Sequence, residues 1–321
     1  MPKVSVIVPV YGVEKYIERC ARSLFEQTLD DIEYLFIDDC TPDRSIEILK
    51  QVLEEYPQRK PQVTIHRMEQ NSGQAAVRKW GMQNATGEYV IHCDSDDWVD
   101  NDMYRAMYEK AKEDDADVVL CGFVRSDGHS VLSKQDNAFI ECKGNKKQLI
   151  QSLLMGRDLS SLCNKLVKTT LFHKDDFLYA TNNMWEDFVY SVQFFVDAER
   201  IRSIEKYFYY YYQNADSICG QMDLDKVVKR SEQIIDNVQT IIRVAIDKGV
   251  YDEYSSCFVA LKYKAKSELL PIVGKFKYWK KWLCTFPEIN GKVMFVNTIS
   301  WRGKMRFVIT LFGIYPLFIR H

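Results

Sequence analysis

The stretch Tyr89-Val-Ile-His-Cys-Asp94-Ser-Asp96-Asp97 joins a short apolar run to three carboxylates within four residues. The apolar run predicts a buried strand, and the end of a strand in an open α/β sheet faces the crevice in which ligands bind. While the chain stays extended, Asp94 and Asp96 share a side-chain direction and Asp97 points the opposite way. Such close carboxylates repel one another unless a cation lies among them, and Mg²⁺ or Mn²⁺ prefers oxygen ligands of this kind, often with substrate phosphates. The stretch therefore indicates a metal site, with a solvated acidic turn before a helix near Met103 as the alternative.

The chain around this stretch alternates short apolar runs with amphipathic segments. This alternation predicts an α/β fold in which helical crossovers join the strands of a mostly parallel sheet and cover both of its faces. The predicted strands are Val4–Val8, Glu33–Ile37, Val63–His66, Tyr89–Cys93 and Asp117–Phe123, and the predicted helices are 14–27, 41–56, 74–84 and 103–113.

The pattern changes after Gly122, where short strand-like pieces surround a turn at Asp127-Gly128. Later segments predict two helices, an aromatic strand and then a helical region, at 145–156, 186–198, 207–212 and from about residue 224 onwards. We therefore predict a first domain over residues 1–220 and a helical C-terminal extension over residues 221–321.

The composition predicts a globular protein of a reducing compartment. Apolar residues make up 46% of the chain, and its nine cysteines are scattered and never in C-x-x-C spacing. This argues against a disulfide framework or a zinc site. Strand-like residues start at Lys3 with no signal-peptide pattern ahead of them, which predicts a cytoplasmic location.

Charge is distributed unevenly along the chain. Residues 275–321 contain nine Lys and Arg against one acid, a balance of +8, and because the whole chain carries −2, residues 1–274 carry −10. The acidic body argues against a nucleic-acid partner, and the basic end indicates an anionic surface.

The last segment, residues 301–320, mixes basic, aromatic and aliphatic residues. Its longest charge-free run has 13 residues, fewer than the roughly 20 that a membrane span needs. We predict that this segment lies on the inner face of the cell membrane without crossing it. The alternative is a C-terminal helix packed on the protein's own core.

Three further strand ends precede the acidic cluster. The first strand ends in Pro9-Val10-Tyr11, the second in Asp38-Asp39, and the third leads to Gly73 and then Arg78. In a parallel sheet these ends meet the same edge as Asp94. An aromatic ring can stack on a nucleobase, a carboxylate can accept its N–H, and Arg suits bidentate contacts to phosphate. Together with a metal, these groups predict a site for a nucleoside diphosphate.

In this order, the motifs resemble those of the bacterial family 2 glycosyltransferases, which have the Rossmann-like GT-A fold. The resemblance covers roughly residues 1–220. The matching pieces are Val4–Tyr11, Tyr16, Ser23, Gln27-Thr28, Asp38-Asp39 with Thr41, Asp43 and Ser45, Asn71-x-Gly73 with Arg78 and Gly81, Thr86–Tyr89, Asp94–Asp97, Asn164–Leu166, Trp185–Phe188, and Tyr212 with Ser217.

The resemblance implies an inverting, non-processive enzyme of cell-surface polysaccharide synthesis. It would move a hexose or N-acetylhexosamine from a nucleotide diphosphate, expected to be UDP, to a hydroxyl of a glycan or lipid-linked acceptor. Asp96 would bind Mg²⁺ or Mn²⁺ at the donor diphosphate, and Asp187 would take the proton from the acceptor hydroxyl. The residues that the resemblance places around the nucleotide are Pro9, Val10, Tyr11, Glu14, Asp39, Gly73, Arg78, Asp94 and Ser95. Those that it places in support of donor or acceptor are Asp97, Lys165 and Glu186.

The chemistry of sugar transfer agrees with these implied roles. A metal neutralises the leaving nucleoside diphosphate, and a carboxylate base activates the attacking hydroxyl. The alternative for Glu186-Asp187 is a pair at a helix start, stabilised by the helix dipole. The chain departs from the family pattern at Gly12, Cys40 and Gln213, the last standing where an Arg often follows the aromatic residue. It also has no Q-x-x-R-W signature, which argues against a processive polymerase.

Two rival functions are open to the sequence. A phosphohydrolase with an Asp nucleophile also has D-x-D after an apolar strand, but Trp98 stands where that chemistry expects Thr or Val. A binding module without turnover is the second rival, and the presence of both Asp96 and Asp187 argues against it. Sugar-nucleotide turnover with and without metal separates the three functions.

Overall fold

The structure, a computed structural model, describes residues 1–136, 145–157, 159–213 and 224–314. The strands of this part of the chain are β1 (Val4–Val10), β2 (Ile32–Asp38), β3 (Val63–Arg67), β4 (Tyr89–His92), β5 (Trp98–Val99), β6 (Val118–Ser126), β7 (Val131–Gln135), β8 (Lys165–Lys168) and β9 (Ile201–Tyr212). Its helices are α1 (Ile17–Phe25), α2 (Ser45–Glu54), α3 (Gln74–Asn84), α4 (Met103–Glu113), α5 (Lys146–Leu154), α6 (Glu186–Asp197), α7 (Leu224–Asp247), α8 (Ser255–Ser267), α9 (Phe276–Cys284) and α10 (Trp301–Leu311).

One mixed sheet runs through the molecule in the order β3-β2-β1-β4-β8-β6-β9-β5, with β7 paired to β6. Strands β1 to β4 pair in parallel with one another, as the crossover pattern predicts. β8 lies antiparallel between β4 and β6, so β6 and its parallel neighbour β9 run in the same direction as β1. The mostly parallel α/β sheet is therefore confirmed, and the reversed strands are β5, β7 and β8.

The start of α2 differs from the prediction, which placed it at Thr41. The Asp38 carboxylate accepts a hydrogen bond from the Thr41 N–H at 2.7 Å, and the Thr41 hydroxyl donates to Asp43 at 2.7 Å. Asp43 also accepts from the N–H of Ser45, where the helix begins. Competing side-chain to backbone bonds therefore hold residues 41–44 in a turn before the helix.

Alternate residues of β1 face two different apolar layers, as the pleat requires. Val6 and Val8 pack into the layer that contains α1 and α4, while Ile7 packs into the layer that contains α3 and α6. The second layer continues without a break through the C-terminal helices, including Ile234 of α7 and Phe307 of α10. The predicted division between residues 220 and 221, which lies outside the described residues, thus marks a change from sheet to helices within one shared core.

None of the described helices combines the length and the apolar character that crossing a bilayer requires. Helix α10 covers the first part of the predicted membrane segment. Ser217 and residues 315–320, which the sequence analysis also used, lie outside the described residues.

Candidate active site

Two adjoining cavities lie at the edge of the sheet where the parallel strands end. The first has a volume of about 440 Å³ and the second about 620 Å³, within the usual range for small-ligand sites. Both are lined by Gln74, Asp94, Asp96 and Tyr211. Two ligands that occupied them together would therefore meet at the acidic cluster.

The first cavity brings together most of the residues predicted to hold a nucleotide. The Tyr11 side chain, 51% exposed, follows β1 and presents its ring there. The remaining predicted residues of this cavity are Pro9, Val10, Asp39, Gly73, Asp94 and Ser95.

Asp39 and Gly73 are linked within the wall of this cavity. The Asp39 carboxylate accepts hydrogen bonds from the N–H groups of Ser72 at 2.7 Å and Gly73 at 2.8 Å. Gly73 has φ of 82°, and a Cβ at this position would overlap the Asn183 amide. A glycine is therefore required here both by the backbone angle and by the close approach of Asn183.

Glu14 was predicted at the nucleotide, but it lines neither cavity. The Gly12 N–H donates to the Thr41 hydroxyl and the Glu14 N–H donates to Asp43, both at 2.9 Å. These bonds hold the turn after β1 against the start of α2, where the Glu14 carboxylate accepts from the Arg44 N–H at 3.2 Å. Glu14 thus belongs to a structural turn.

The three carboxylates of the acidic cluster have different surroundings. Asp97 is 1% exposed and accepts from the Tyr209 hydroxyl at 2.5 Å and the Tyr212 N–H at 2.7 Å. These bonds hold β9 to the cluster, and Asp97 lines neither cavity. Its predicted support of donor or acceptor stays a prediction. Asp94 accepts from the Arg78 guanidinium at 2.7 Å. Asp96 lines both cavities, and burial, with the nearby Asp94 charge, raises its pKa to about 6.

This donor set fits a cation that takes most of its ligands from substrate and water. The part of the chain described by the structure contains no group of three or more His, Cys, Asp or Glu side chains placed to hold a metal ion. Asp97 is turned away, and Asp94 lines both cavities but is paired with Arg78. Asp96 is thus the carboxylate of this cluster that lines the cavities without an ion pair to Arg78. Mg²⁺ and Mn²⁺ are bound in this way, through one or two carboxylates together with substrate phosphates.

Arg78 joins the end of β4 to the start of α6. It is 4% exposed, and its guanidinium donates to the carboxylates of both Asp94 and Glu186. Burial raises the pKa of Glu186, the Arg78 charge opposes this, and the Asp187 carboxylate adds to it. Arg78 and Glu186 line the second cavity, but their charged groups are paired with each other rather than held ready for a nucleotide.

Asp187 is partly exposed and lines the second cavity. One of its carboxylate oxygens accepts from the Phe188 N–H at 2.7 Å. Both predicted features of the Glu186-Asp187 pair are present, because the pair forms the first turn of α6 and also faces a cavity. The neighbouring Glu186 is committed to Arg78, which leaves Asp187 as the carboxylate of this turn that a substrate hydroxyl can reach.

Lys165, predicted as a support of donor or acceptor, is buried away from both cavities. Its ammonium group donates to the Ser161 carbonyl and, at 3.2 Å, to the Asn164 side chain. Ser161 lines the second cavity. Lys165 therefore contacts a loop of the cavity wall and does not itself reach the cavity.

The sequence analysis missed the residues that hold the loop before Asp187. Trp185 has a left-handed φ of 65° at the start of α6, and the side-chain amide oxygen of Asn183 accepts from the Ala75 N–H at 3.0 Å. From α7, the buried Asn237 amide donates to the backbone carbonyls of Asn182 at 2.9 Å and Met184 at 2.7 Å. A left-handed non-glycine residue persists only where its surroundings enforce it, and these bonds supply that restraint.

Two further cavity residues were not singled out from the sequence. Tyr211 is 43% exposed and lies between the cavities. Arg125 of β6 lines the second cavity together with Gln213, the residue that departs from the family pattern. Neither belongs to a motif, and only the pairing of β6 with β9, which places Arg125 opposite Tyr211, brings them together.

Replacing Asn237 by Ala should lower kcat more than it weakens donor binding, because the loop that carries Asp187 loses two backbone contacts. It should also lower the free energy of unfolding by about 1–3 kcal/mol. Steady-state kinetics, donor titration and thermal melting measure the three quantities. Gln239→Ala, an exposed change on the same helix, is the matched control. An Asn237→Ala protein that melts early but turns over normally would show that the loop keeps its geometry without this residue.

Comparison with known proteins places the chain among glycosyltransferases. Residues 5–175 match the family described as Glycosyl transferase family 2. The uncharacterized glycosyltransferase EpsJ of Bacillus subtilis is 32% identical over 223 residues, 68% of this chain and 63% of that protein. The cholesterol galactosyltransferase of Borreliella burgdorferi is 27% identical over 327 residues, 95% of this chain and 88% of that protein.

A solved structure confirms the predicted GT-A fold. The crystal structure of residues 1–349 of S. aureus TarS, in complex with UDP-GlcNAc, superposes with a TM-score of 0.69 at 18% identity. The match covers 98% of this chain and 88% of that one. With the family match extending over more than half of its residues, the chain belongs to glycosyl transferase family 2, a family of enzymes.

Proposed function

We propose that this protein transfers a sugar from a nucleotide diphosphate to an acceptor hydroxyl with inversion at the anomeric carbon. The observation that carries the proposal is the pair of adjoining cavities. Both are lined by Asp94, Asp96 and Tyr211, whereas Asp187 lines the second cavity and not the first. A donor in the first cavity and an acceptor in the second would meet beside Asp96, with a carboxylate base on the acceptor side.

The donor would lie in the first cavity with its base against Tyr11 and near Asp39. An exposed aromatic ring offers a stacking surface for a base, and the backbone of Gly73 lines the same cavity. UDP is the proposed nucleotide, supported by the UDP-GlcNAc complex of the structurally similar TarS. The transferred sugar is a hexose or an N-acetylhexosamine.

Asp96 would hold Mg²⁺ or Mn²⁺, which would neutralise the charge of the leaving nucleoside diphosphate when bound. The Arg78 guanidinium forms ion pairs with the carboxylates of both Asp94 and Glu186, with or without a cation. These two carboxylates are therefore engaged by Arg78 rather than by the reacting groups. Among the described carboxylates of the second cavity, Asp187 is thus the one placed to accept a proton from an acceptor hydroxyl.

The acceptor would be a glycan or a lipid-linked saccharide of a cell-surface polysaccharide, extended by one sugar at each encounter. Residues 1–220 would carry the transfer chemistry, and residues 221–321 would hold the catalytic loop and contact the inner face of the cell membrane through 301–320. A membrane-associated acceptor is supported by the relative named as a cholesterol galactosyltransferase, since cholesterol is a membrane lipid.

A panel of nucleotide sugars, scored for release of nucleoside diphosphate with and without Mn²⁺, tests the proposal. We expect metal-dependent release from one or a few UDP-sugars. Binding without release would favour a module that has lost turnover. Release of inorganic phosphate from phosphate esters, with no release from nucleotide sugars, would favour an Asp-dependent phosphohydrolase.

The product should carry the anomeric configuration opposite to that of the donor. Among the described carboxylates of the second cavity, Asp187 is the proposed base and Asp96 the proposed metal ligand, while Asp94 and Glu186 are both paired with Arg78, so none is assigned as a nucleophile. The coupling constant of the anomeric proton, measured by NMR on the product, determines the configuration. A product with the donor's configuration would rule out single displacement.

A further inference from the structure

Helix α10 has a second apolar side in addition to the one packed against the protein. At about 100° per residue, Phe307 and Thr310 lie on one side, and both are buried. Trp301, Met305 and Phe312 lie within about 60° of one another on the opposite side, and they are 73%, 38% and 72% exposed. Such exposure of large apolar side chains along one line indicates a contact surface.

Contacts on the buried (inner) side of α10 fix the rotation of the helix and therefore keep its opposite (outer) side exposed. The Phe307 ring lies 5.8 Å from the Tyr263 ring, and the Tyr263 hydroxyl donates to the Gly303 carbonyl at 2.9 Å. The Trp279 indole N–H donates to the Thr310 carbonyl at 2.7 Å. Turning the outer side inward would break these contacts, so its exposure is a property of the folded protein.

Two further exposed aromatic side chains belong to elements that contact α10. Phe276, 75% exposed, lies against Trp279 at 5.7 Å between ring centres and so lies beside the end of α10. Phe295, 84% exposed, belongs to a turn that packs against the same helix. We call the five exposed side chains the aromatic face: Phe276, Phe295, Trp301, Met305 and Phe312.

Cations border the aromatic face on both sides. Arg302 and Arg306 lie on one side of the helix stripe and Lys304 on the other. No acidic residue in the described part of the chain forms an ion pair with any of the three. Aromatic rings between cations are typical of protein surfaces that enter the headgroup region of anionic bilayers. A twofold dimer through this face is a poor fit, because it would bring two basic borders together.

Two packed helices, α10 itself and α8, lie between the aromatic face and the second cavity. Tyr263 of α8 contacts α10 through Gly303, and the adjacent Lys264 lies 5.1 Å from the ring of Trp185, which lines that cavity. Packed helices lie about 8–10 Å apart. A protein docked through the aromatic face would therefore hold its acceptor-side cavity about two helix layers, roughly 20 Å, from the lipid surface.

We infer that the aromatic face docks the protein on an anionic lipid surface, in the placement that a lipid-linked acceptor requires. The docking itself follows from exposure and charge, and only its link to an acceptor rests on the proposed function. It also answers the question left by the sequence: α10 both packs on the core and offers a membrane contact.

Flotation of the full chain with lipid vesicles tests the inference. The probes are vesicles of phosphatidylcholine alone and vesicles that contain phosphatidylglycerol, each at low and high salt. We expect binding to the anionic vesicles, with release by salt. The double change Trp301→Gln and Phe312→Gln should weaken binding by about tenfold or more. Ile246→Gln, which removes a 58% exposed side chain on α7, is the control and should bind as the unchanged protein does.

Thermal melting and donor hydrolysis in lipid-free solution should be the same for all three proteins, which separates docking from transfer. Unchanged vesicle binding by the double variant would overturn the inference, as would binding that ignores lipid charge or an unchanged protein that binds no vesicles. A dimer in light scattering that the double change disrupts would assign the face to protein association instead. A protein that docks but transfers no sugar would contradict only the proposed function.

Discussion

Replacing Asp187 by Asn should slow sugar transfer by roughly 10²–10⁴-fold and leave donor affinity nearly unchanged. Asn keeps the shape of the side chain and can still accept the hydrogen bond from Phe188, but it cannot take a proton from the acceptor. Because Asp187 lines the second cavity and not the first, its loss should not weaken the nucleotide site. Single-turnover kinetics together with donor titration measure the two effects separately.

Two variants make this result specific to Asp187. Asp236→Asn removes an exposed carboxylate from α7 and should leave the rate unchanged. Glu186→Gln removes the buried partner of Arg78 and should lower the melting temperature, since breaking a buried ion pair leaves a charge without its partner. Loss of donor affinity with a normal rate in the bound Asp187→Asn enzyme would assign Asp187 to binding and leave the transfer without its proposed base.

The fold was predictable from the sequence because its first half repeats one local unit. Each apolar run followed by an amphipathic segment makes a strand and a crossover helix, and strands joined by such crossovers are parallel, so their carboxyl ends meet at the same edge. The run Tyr89–Cys93 and its acidic end could therefore be placed beside Pro9 and Asp39 before any contact was known. The insertion of β8 between β4 and β6 has no such local signal, because Lys165–Lys168 reaches its partners only through the tertiary fold.

The site was predictable where a residue's position follows from the strand that carries it. The alternation of side chains separates Asp97 from Asp94 and Asp96, but it does not say which direction faces the cavity. Tyr209, more than a hundred positions further along the chain, decides this by holding Asp97 in the interior. The role of Asn237 is likewise invisible in the sequence, since its partners are two backbone carbonyls far from any motif.

Helix α10 shows that one apolar sequence pattern can form both a buried and an exposed apolar side of a helix. The sequence left two alternatives, a membrane contact or a terminal helix packed on the core. A helix with one apolar side could use that side for only one of these contacts. The helix has two stripes about half a turn apart, one through Phe307 and one through Trp301 and Met305. Only the burial of Phe307 against Tyr263 shows which stripe belongs to the core.

Replacing Asp96 by Asn should abolish metal-dependent transfer while leaving the fold intact. Asp96 lines both cavities and is the carboxylate of its cluster that neither Arg78 nor Tyr209 engages. The amide keeps the size of the side chain but removes the negative charge that a divalent cation requires. Calorimetric titration with UDP should show binding strengthened by Mn²⁺ for the unchanged protein and no such gain for the variant. Asp97→Asn is the contrasting change, and it should reduce stability through the loss of the Tyr209 and Tyr212 contacts while the effect of Mn²⁺ on UDP binding remains.

The same Asp96→Asn variant should be more heat-stable than the unchanged protein in metal-free buffer at pH 7. Burial raises the pKa of Asp96 from 3.8 to about 6, so ionising this carboxyl costs more free energy in the folded protein than in the unfolded chain. That cost is fully present above about pH 6, declines as the pH falls, and is absent below the unfolded pKa near 4. Melting temperatures at pH 7 and at pH 4 therefore should differ between the two proteins only at the higher pH. Normal sugar transfer by Asp96→Asn with Mn²⁺ would contradict the metal role of this carboxylate. Melting of the variant below the unchanged protein at pH 7 would instead contradict the free-energy cost of its ionisation in the folded protein.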